Sequence, residues 1–121
     1  MRFYPLTADE QPDDLLTSEY RSAREIGVVR LGETTFFFKR QRKVYYVPYE
    51  SISRCFRRVQ LVPARLCCGQ GDLPVENFVI CSGEDELAQI QLPGERAGKA
   101  LLEEMKTRVP DAEFGCPKQI R

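Results

Sequence analysis

Between Glu25 and Leu92 the hydrophobic positions fall in short β-branched and aromatic runs separated by turn residues, the pattern of consecutive strands. EIGVVRL (25–31) predicts a first strand, followed by a tight turn, LGET, around Gly32. TTFFFKR (34–40) and KVYYVPY (43–49) predict a second and a third, the latter ending where Pro48 removes a ladder donor. SISRCFRRVQLV (51–62) reads as a longer fourth strand whose imperfect alternation predicts a bulge or bend. ARLCC (64–68) predicts a fifth, GQGDLP (69–74) a loop, VENFVICSG (75–83) a sixth, GEDE (83–86) a turn and ELAQIQL (86–92) a seventh. The period then changes. In PGERAGKALLEEMKTRVP (93–110) Ala97, Leu101, Leu102, Met105 and Val109 recur at spacings of three and four, which places them on one helical face. Pro93 and Gly94 mark its start, Glu95 suits the positive end of the helix dipole, and Pro110 lies just past the end.

The flanks are different. Residues 1–22 are mixed and acidic, with Pro5 and Pro12 interrupting regular structure, although DDLLTSEYRS (13–22) can form a turn or two of helix. Residues 111–121 read as an irregular tail. The expected organisation is therefore an N-terminal arm (1–22), one domain (23–110) and a C-terminal tail (111–121). The expected fold is mainly β with one C-terminal α-helix: a seven-stranded bent sheet or partial barrel, capped by a helix that plugs its open end with Leu101, Leu102 and Met105.

VPYESIS (47–53) carries a further indication, because it resembles the V-P-Y-x-x-I stretch between the third and fourth strands of small bacterial pleckstrin-homology-like and GRAM-like domains. The order of elements over residues 22–109 is similar to that superfamily as well. The resemblance implies that Pro48 ends a strand while Tyr49 and Ile52 turn back into the core. In phosphoinositide-binding members, lysines and arginines gather about the loop joining the first two strands. Here that loop is Leu31-Gly32-Glu33-Thr34, short and acidic, so headgroup binding by the family's usual site is not expected.

The hairpin FFFKRQRKVYYVPY (36–49) has a register that can be written down. With the turn on Gln41 and Arg42, the pairs are Arg40 with Lys43, Lys39 with Val44, Phe38 with Tyr45, Phe37 with Tyr46 and Phe36 with Val47. Like charges at Arg40 and Lys43 are tolerable only in water, so the tip is solvated. Both faces of its flanks are apolar, whereas a sheet with one wet face alternates cleanly. The outer pair Phe37 and Tyr46 is thus expected to be an interface, covered by the arm through Phe3, Tyr4, Leu15 or Leu16, or by another subunit.

Composition narrows the chemistry. The 121 residues suffice for one hydrophobic core, and 18 basic and 18 acidic side chains balance, which argues against a whole-surface nucleic-acid footprint; no nucleic-acid partner is expected. The charge is unevenly placed: residues 36–65 hold eight basic side chains against Glu50, and residues 1–20 hold five acidic ones against Arg2. Two rows of cations are candidates for binding an anion or a partner, Lys39, Arg40, Arg42 and Lys43 at the hairpin tip and Arg54, Arg57 and Arg58 on the next strand. Cations at a hairpin tip also discourage edge-to-edge aggregation, which accounts for the first row better than the second. The start of the chain lacks the apolar segment of a secretory signal, and no apolar run approaches a membrane span, so a cytoplasmic location is expected.

Catalytic equipment is sparse. There is no histidine, hence no histidine base or ligand, and no phosphate-loop or nucleophile-elbow motif. Cys55, Cys67, Cys68, Cys81 and Cys116 are an odd number without a CxxC pair, which fits reduced thiols better than a disulfide framework or zinc knuckle. Arg65 could lower the pKa of an exposed Cys67 or Cys68, but no base is at hand and a small core or edge residue is the plainer role. Glu84, Asp85 and Glu86 read as a solvated turn, not a calcium site. The reading is a non-enzymatic binding or scaffold module without cofactor or metal. Its expected partner is a protein or a second copy; an adaptor holding anionic lipid headgroups weakly through the basic hairpin comes second, and a cysteine-dependent redox or transfer enzyme last.

Overall fold

Nine strands and two helices are formed by the residues described in the computed structural model, 2–8, 10–63 and 72–115. In chain order they are β1 (Phe3–Pro5), α1 (Asp13–Arg21), β2 (Arg24–Ile26), β3 (Val29–Leu31), β4 (Thr35–Arg40), β5 (Lys43–Pro48), β6 (Arg54–Pro63), β7 (Asp72–Ser82), β8 (Asp85–Gln91), α2 (Glu95–Arg108) and β9 (Glu113–Phe114). They make two sheets, ordered β1-β5-β4-β3-β2 and β8-β7-β6-β9. The chain is mainly β, as its pattern of short runs requires. It has two helices where one was expected, and among the described residues neither sheet closes into a barrel.

Other departures have local causes. EIGVVRL is not one strand, because Gly27 adopts φ +60° and with Val28 turns the run into the β2–β3 hairpin, pairing Ile26 with Val29. The bulge expected in the fourth run is absent from the β6–β7 ladder, which stays in register from Arg54↔Cys81 to Pro63↔Asp72; the irregularity lies between β7 and β8 at Ile80/Cys81. Residues 72–74 belong to β7 instead of a loop. Pro74 is tolerated there because β8 begins pairing only at Asn77↔Gln91, so its missing N–H faces no described neighbouring strand. The predicted strand ARLCC lies outside the described residues.

The core sits between the sheets. Phe36, Phe38, Val47, Val29 and Leu31 of the first face Cys55, Phe78, Ile80 and Ile90 of the second, with the Phe36 and Phe78 rings stacked at 6.4 Å. α2 packs against β2 of the first sheet and β6 and β7 of the second, burying Leu101 and Met105 completely with Ala97 and Leu102 beside them, as the three-and-four spacing predicts. Pro48 ends β5, residues 49–51 make a single 3-10 turn, and Tyr49 and Ile52 return into the core.

The arm is a working part of the first sheet. β1 runs parallel to β5, pairing Phe3 with Val44 and Tyr4 with Tyr45. α1 places Leu16 and Tyr20 four residues apart on one face, and with Phe3 they cover Phe37, Val44 and Tyr46. Tyr20 meets Phe37 edge-on at 5.2 Å, and the Gln11 N–H donates to the Tyr46 hydroxyl at 2.9 Å. Of the two covers allowed by the sequence, the arm is the one observed, through Phe3 and Leu16. Leu15 is exposed, and Tyr4 turns to the opposite face. The arm is fastened by Glu19, whose carboxylate accepts from the Thr34 N–H at 2.6 Å and from the Thr34 and Thr35 hydroxyls.

Candidate functional site

The β4–β5 ladder has the register written above, from Thr35↔Pro48 to Arg40↔Lys43, and leaves a two-residue loop. Gln41 and Arg42 fill it with φ +50° and +69°. Both central residues of such a loop need positive φ, so Asn-Gly is the inexpensive choice. For other L-residues the left-handed region costs about 1–2 kcal/mol each. The tip thus carries two local costs, the strained pair and the like-charge contact of Arg40 with Lys43.

Register also explains what surrounds the tip. Tyr4, Tyr45 and Phe38 are cross-strand partners and share a face, with rings 5.7 Å and 5.3 Å apart in sequence across the strands. One step towards the tip on that face stand Arg2, Lys43 and Arg40. Lys43 Nζ lies 5.2 Å from the centre of the Tyr4 ring, the Arg2 guanidinium 5.7 Å from the same ring, and the Arg40 guanidinium 5.3 Å from Phe38. Lys39 points to the other face, and Arg42 occupies the turn. Among the described residues no carboxylate comes within ion-pair distance of Arg2, Lys39, Arg40, Arg42 or Lys43. Arg2 escapes sequence reasoning because it sits in the acidic arm, and only the parallel β1–β5 pairing carries it to the tip.

Arg54, Arg57 and Arg58 do not extend this cluster. Arg54 bonds Glu113 of β9 and the carbonyl of Gly115 just after it, while Arg57 makes a two-pronged bond to the buried Glu76, at 2.6 and 3.0 Å. That contact raises the guanidinium pKa further, hydrogen bonding to Glu76 being the main cause. Arg58 reaches the Gln89 side chain at 2.6 Å and Glu86 at 3.0 Å. Alternation along β6 sends Arg57 to the core side and Arg58 to the outer side, so the row in sequence is not a row in space. Arg40 donates to the Gln89 main-chain carbonyl, which blocks the open edge of β8.

Elsewhere the chemistry is quiet. A shallow cleft of about 400 Å³ lined by Gln11, Glu19, Glu33, Thr34 and Thr35 lies between α1 and the β3–β4 turn. Beside it the Gly32 carbonyl accepts from the Tyr49 hydroxyl at 2.6 Å and from Arg108 at 2.8 Å. Burial pushes the Tyr49 pKa up to about 12, outweighing the opposing pull of Arg108. Burial likewise pushes the Cys55 thiol up to about 12 and raises Cys81, which keeps both protonated and poor nucleophiles. Arg65, Cys67, Cys68 and Cys116 lie outside the described residues. Among those described, no three acidic or cysteine side chains gather as a metal site, and no helix is long and apolar enough to cross a membrane.

The described residues form a mainly β protein of two sheets and two helices whose cationic hairpin tip has no carboxylate partner among them. No family model, curated protein or solved structure matches the chain.

Proposed function

We propose that the protein is a non-enzymatic, pleckstrin-homology-like binding module of the cytoplasm that docks an acidic segment of a partner protein on its β4–β5 tip. The observation that carries this is the sorting of charge: among the described residues Arg2, Lys39, Arg40, Arg42 and Lys43 have no carboxylate in reach, while Arg54, Arg57 and Arg58 are each paired. The strained turn supports it, since Arg42 holds a cation at φ +69° where glycine costs nothing. Support for the pleckstrin-homology-like arrangement comes from the V-P-Y-x-x-I stretch at the end of β5 and from α2 packing against both sheets. A second reading, anionic lipid headgroups, is favoured by the half-buried Tyr4 and Tyr45 beneath the cations, a placement that suits a membrane interface.

Titration with a Glu-rich peptide at low and at physiological salt tests the first reading, and sedimentation with anionic vesicles under the same conditions tests the second. Peptide binding should weaken steeply with salt, because exposed charges are screened over about 8 Å at physiological ionic strength. It should vanish on reversing Lys39, Arg40, Arg42 and Lys43 to Glu. Arg42→Gly should weaken binding while stabilising the fold. Peptide binding that survives the four reversals removes the tip from the site, and vesicle binding without peptide binding replaces the first reading by the second.

A further inference from the structure

The β6–β7 ribbon runs on after its neighbours have stopped. β9 accompanies β6 only at Arg54 and Cys55, and β8 leaves β7 at Asn77. Past those points Val59, Leu61 and Leu73 are 50%, 67% and 45% exposed, three of the five exposed large hydrophobics among the described residues. Residues 59–62 and 73–75 carry no charge. The ladder fixes which main-chain groups of β6 face away from β7. Gly115 donates to the Cys55 carbonyl, so Cys55 turns its polar groups away from β7, and by alternation so do Val59 and Leu61. Along that side of β6 no described strand follows after Cys55. Natural sheets guard such edges with a cation, a proline or a bulge. β8 has its guard in Arg40; β6 has none between Arg58 and Pro63.

We infer that this edge pairs antiparallel with the same edge of a second copy of the chain, about a two-fold axis at Gln60. In that register Val59 of each copy faces Leu61 of the other. Both residues present outward N–H and C=O groups, so each such pair can close two main-chain hydrogen bonds. Four apolar side chains, Val59 and Leu61 from each copy, then meet in one patch. Gln60 faces its own counterpart, and Arg58 falls opposite Val62, so no like charges oppose each other. A two-fold at Arg58 would set arginine against arginine, which excludes that register. The uncharged edge offers an acidic peptide no cation between Arg58 and Pro63, whereas it is complementary to itself. About five paired residues fall short of the roughly 1,200 Å² of a tight complex, so the dimer should be weak and exchange with monomer.

Sedimentation equilibrium of the full chain from about 1 μM to a few hundred μM should show reversible dimerisation in the micromolar range. Val59→Lys with Leu61→Lys should leave a monomer at every concentration. Both sites are exposed and circular dichroism checks their fold. A second arm does not depend on those variants: Gln60→Cys, with Cys67, Cys68 and Cys116 changed to Ser, should oxidise to a disulfide-linked dimer. The two-fold brings Gln60 Cβ atoms within the range of a non-hydrogen-bonded pair, about 4.5–5.5 Å, and small adjustment closes the bond. A wild-type chain that stays monomeric overturns the inference. So does a dimer that persists in the lysine variant, or one that Gln60→Cys fails to cross-link.

Discussion

At the scale of single residues, Gly98 and Tyr49 carry consequences that composition hides. Gly98 lies in the second turn of α2, where alanine normally gains about 1 kcal/mol over glycine. Here an added Cβ would run into the Glu76 carboxylate, which is buried and held by Arg57. Gly98→Ala should therefore destabilise by about 1–3 kcal/mol, the cost of overpacking, as read from urea midpoints. A gain in stability would show that Glu76 can move without loss. Tyr49 and Cys55 set a second expectation. Their folded pKa values, both about 12, lie above the ordinary 10.0 and 9.0. The fold holds their protons more tightly than the unfolded chain does. Their contribution is complete below about pH 9 and is lost as pH climbs towards 12. Urea midpoints should be flat from pH 7 to 9 and fall above it. Tyr49→Phe should remove the part of that fall that begins at 10.0, its ordinary value. A midpoint unchanged to pH 12 would mean that burial does not hold these groups neutral.

At the scale of elements, legibility follows how local the cause is. The β4–β5 register could be written from sequence because a two-residue turn and matched aromatic runs determine it, and α2 because its apolar spacing has only one helical reading. The β2–β3 hairpin was hidden in EIGVVRL, where Gly27 was the one visible signal. β1 and β9 were not legible, and α1 only as a turn or two of helix over residues 13–22 with nothing to say what it covers: each is short, and each is stabilised by partners far along the chain, β5 for β1, Phe37 for α1 and β6 for β9. The arm yields a test at this scale. Deleting residues 1–18 removes Phe3 and Leu16 and bares Phe37, Val44, Tyr46 and the edge of β5. Losing one such buried side chain costs about 2–5 kcal/mol, so the shortened chain should unfold well below the parent or aggregate. A shortened chain with unchanged unfolding temperature and mass would mean that the arm contributes nothing to the sheet it covers.

At the scale of the whole molecule, the balance of 18 cations and 18 acids conceals a polarity. Among the described residues the cations of the β4–β5 tip stand without carboxylates, while exposed Glu10, Asp13, Asp14, Glu33 and Glu50 lie on or beside α1 and in the turns at the other end of that hairpin. Charge counts along the sequence located the tip but also nominated Arg54, Arg57 and Arg58, since a linear count cannot show that a strand alternates its faces or that Glu76, Glu86 and Glu113 arrive from distant elements. If the tip is kept for an anion, its occupation should stabilise the fold, because an opposite charge offsets the repulsion between Arg40 and Lys43 as well as binding only the folded register. A Glu-rich peptide at about ten times its Kd should add about 1.4 kcal/mol by mass action, a rise of several degrees in unfolding temperature for a chain of this size. The rise should shrink as salt is added. It should be absent when Lys39, Arg40, Arg42 and Lys43 are reversed to Glu, although that variant itself should unfold only modestly below the parent temperature, losing the Arg40 bond to the Gln89 carbonyl and the contacts of Arg40 and Lys43 with Phe38 and Tyr4, since the four side chains are exposed and make no ion pair among the described residues. Equal stabilisation of parent and reversed chains would place the anion elsewhere, and a reversed chain that unfolds far below the parent would show that these cations serve the fold and not a ligand.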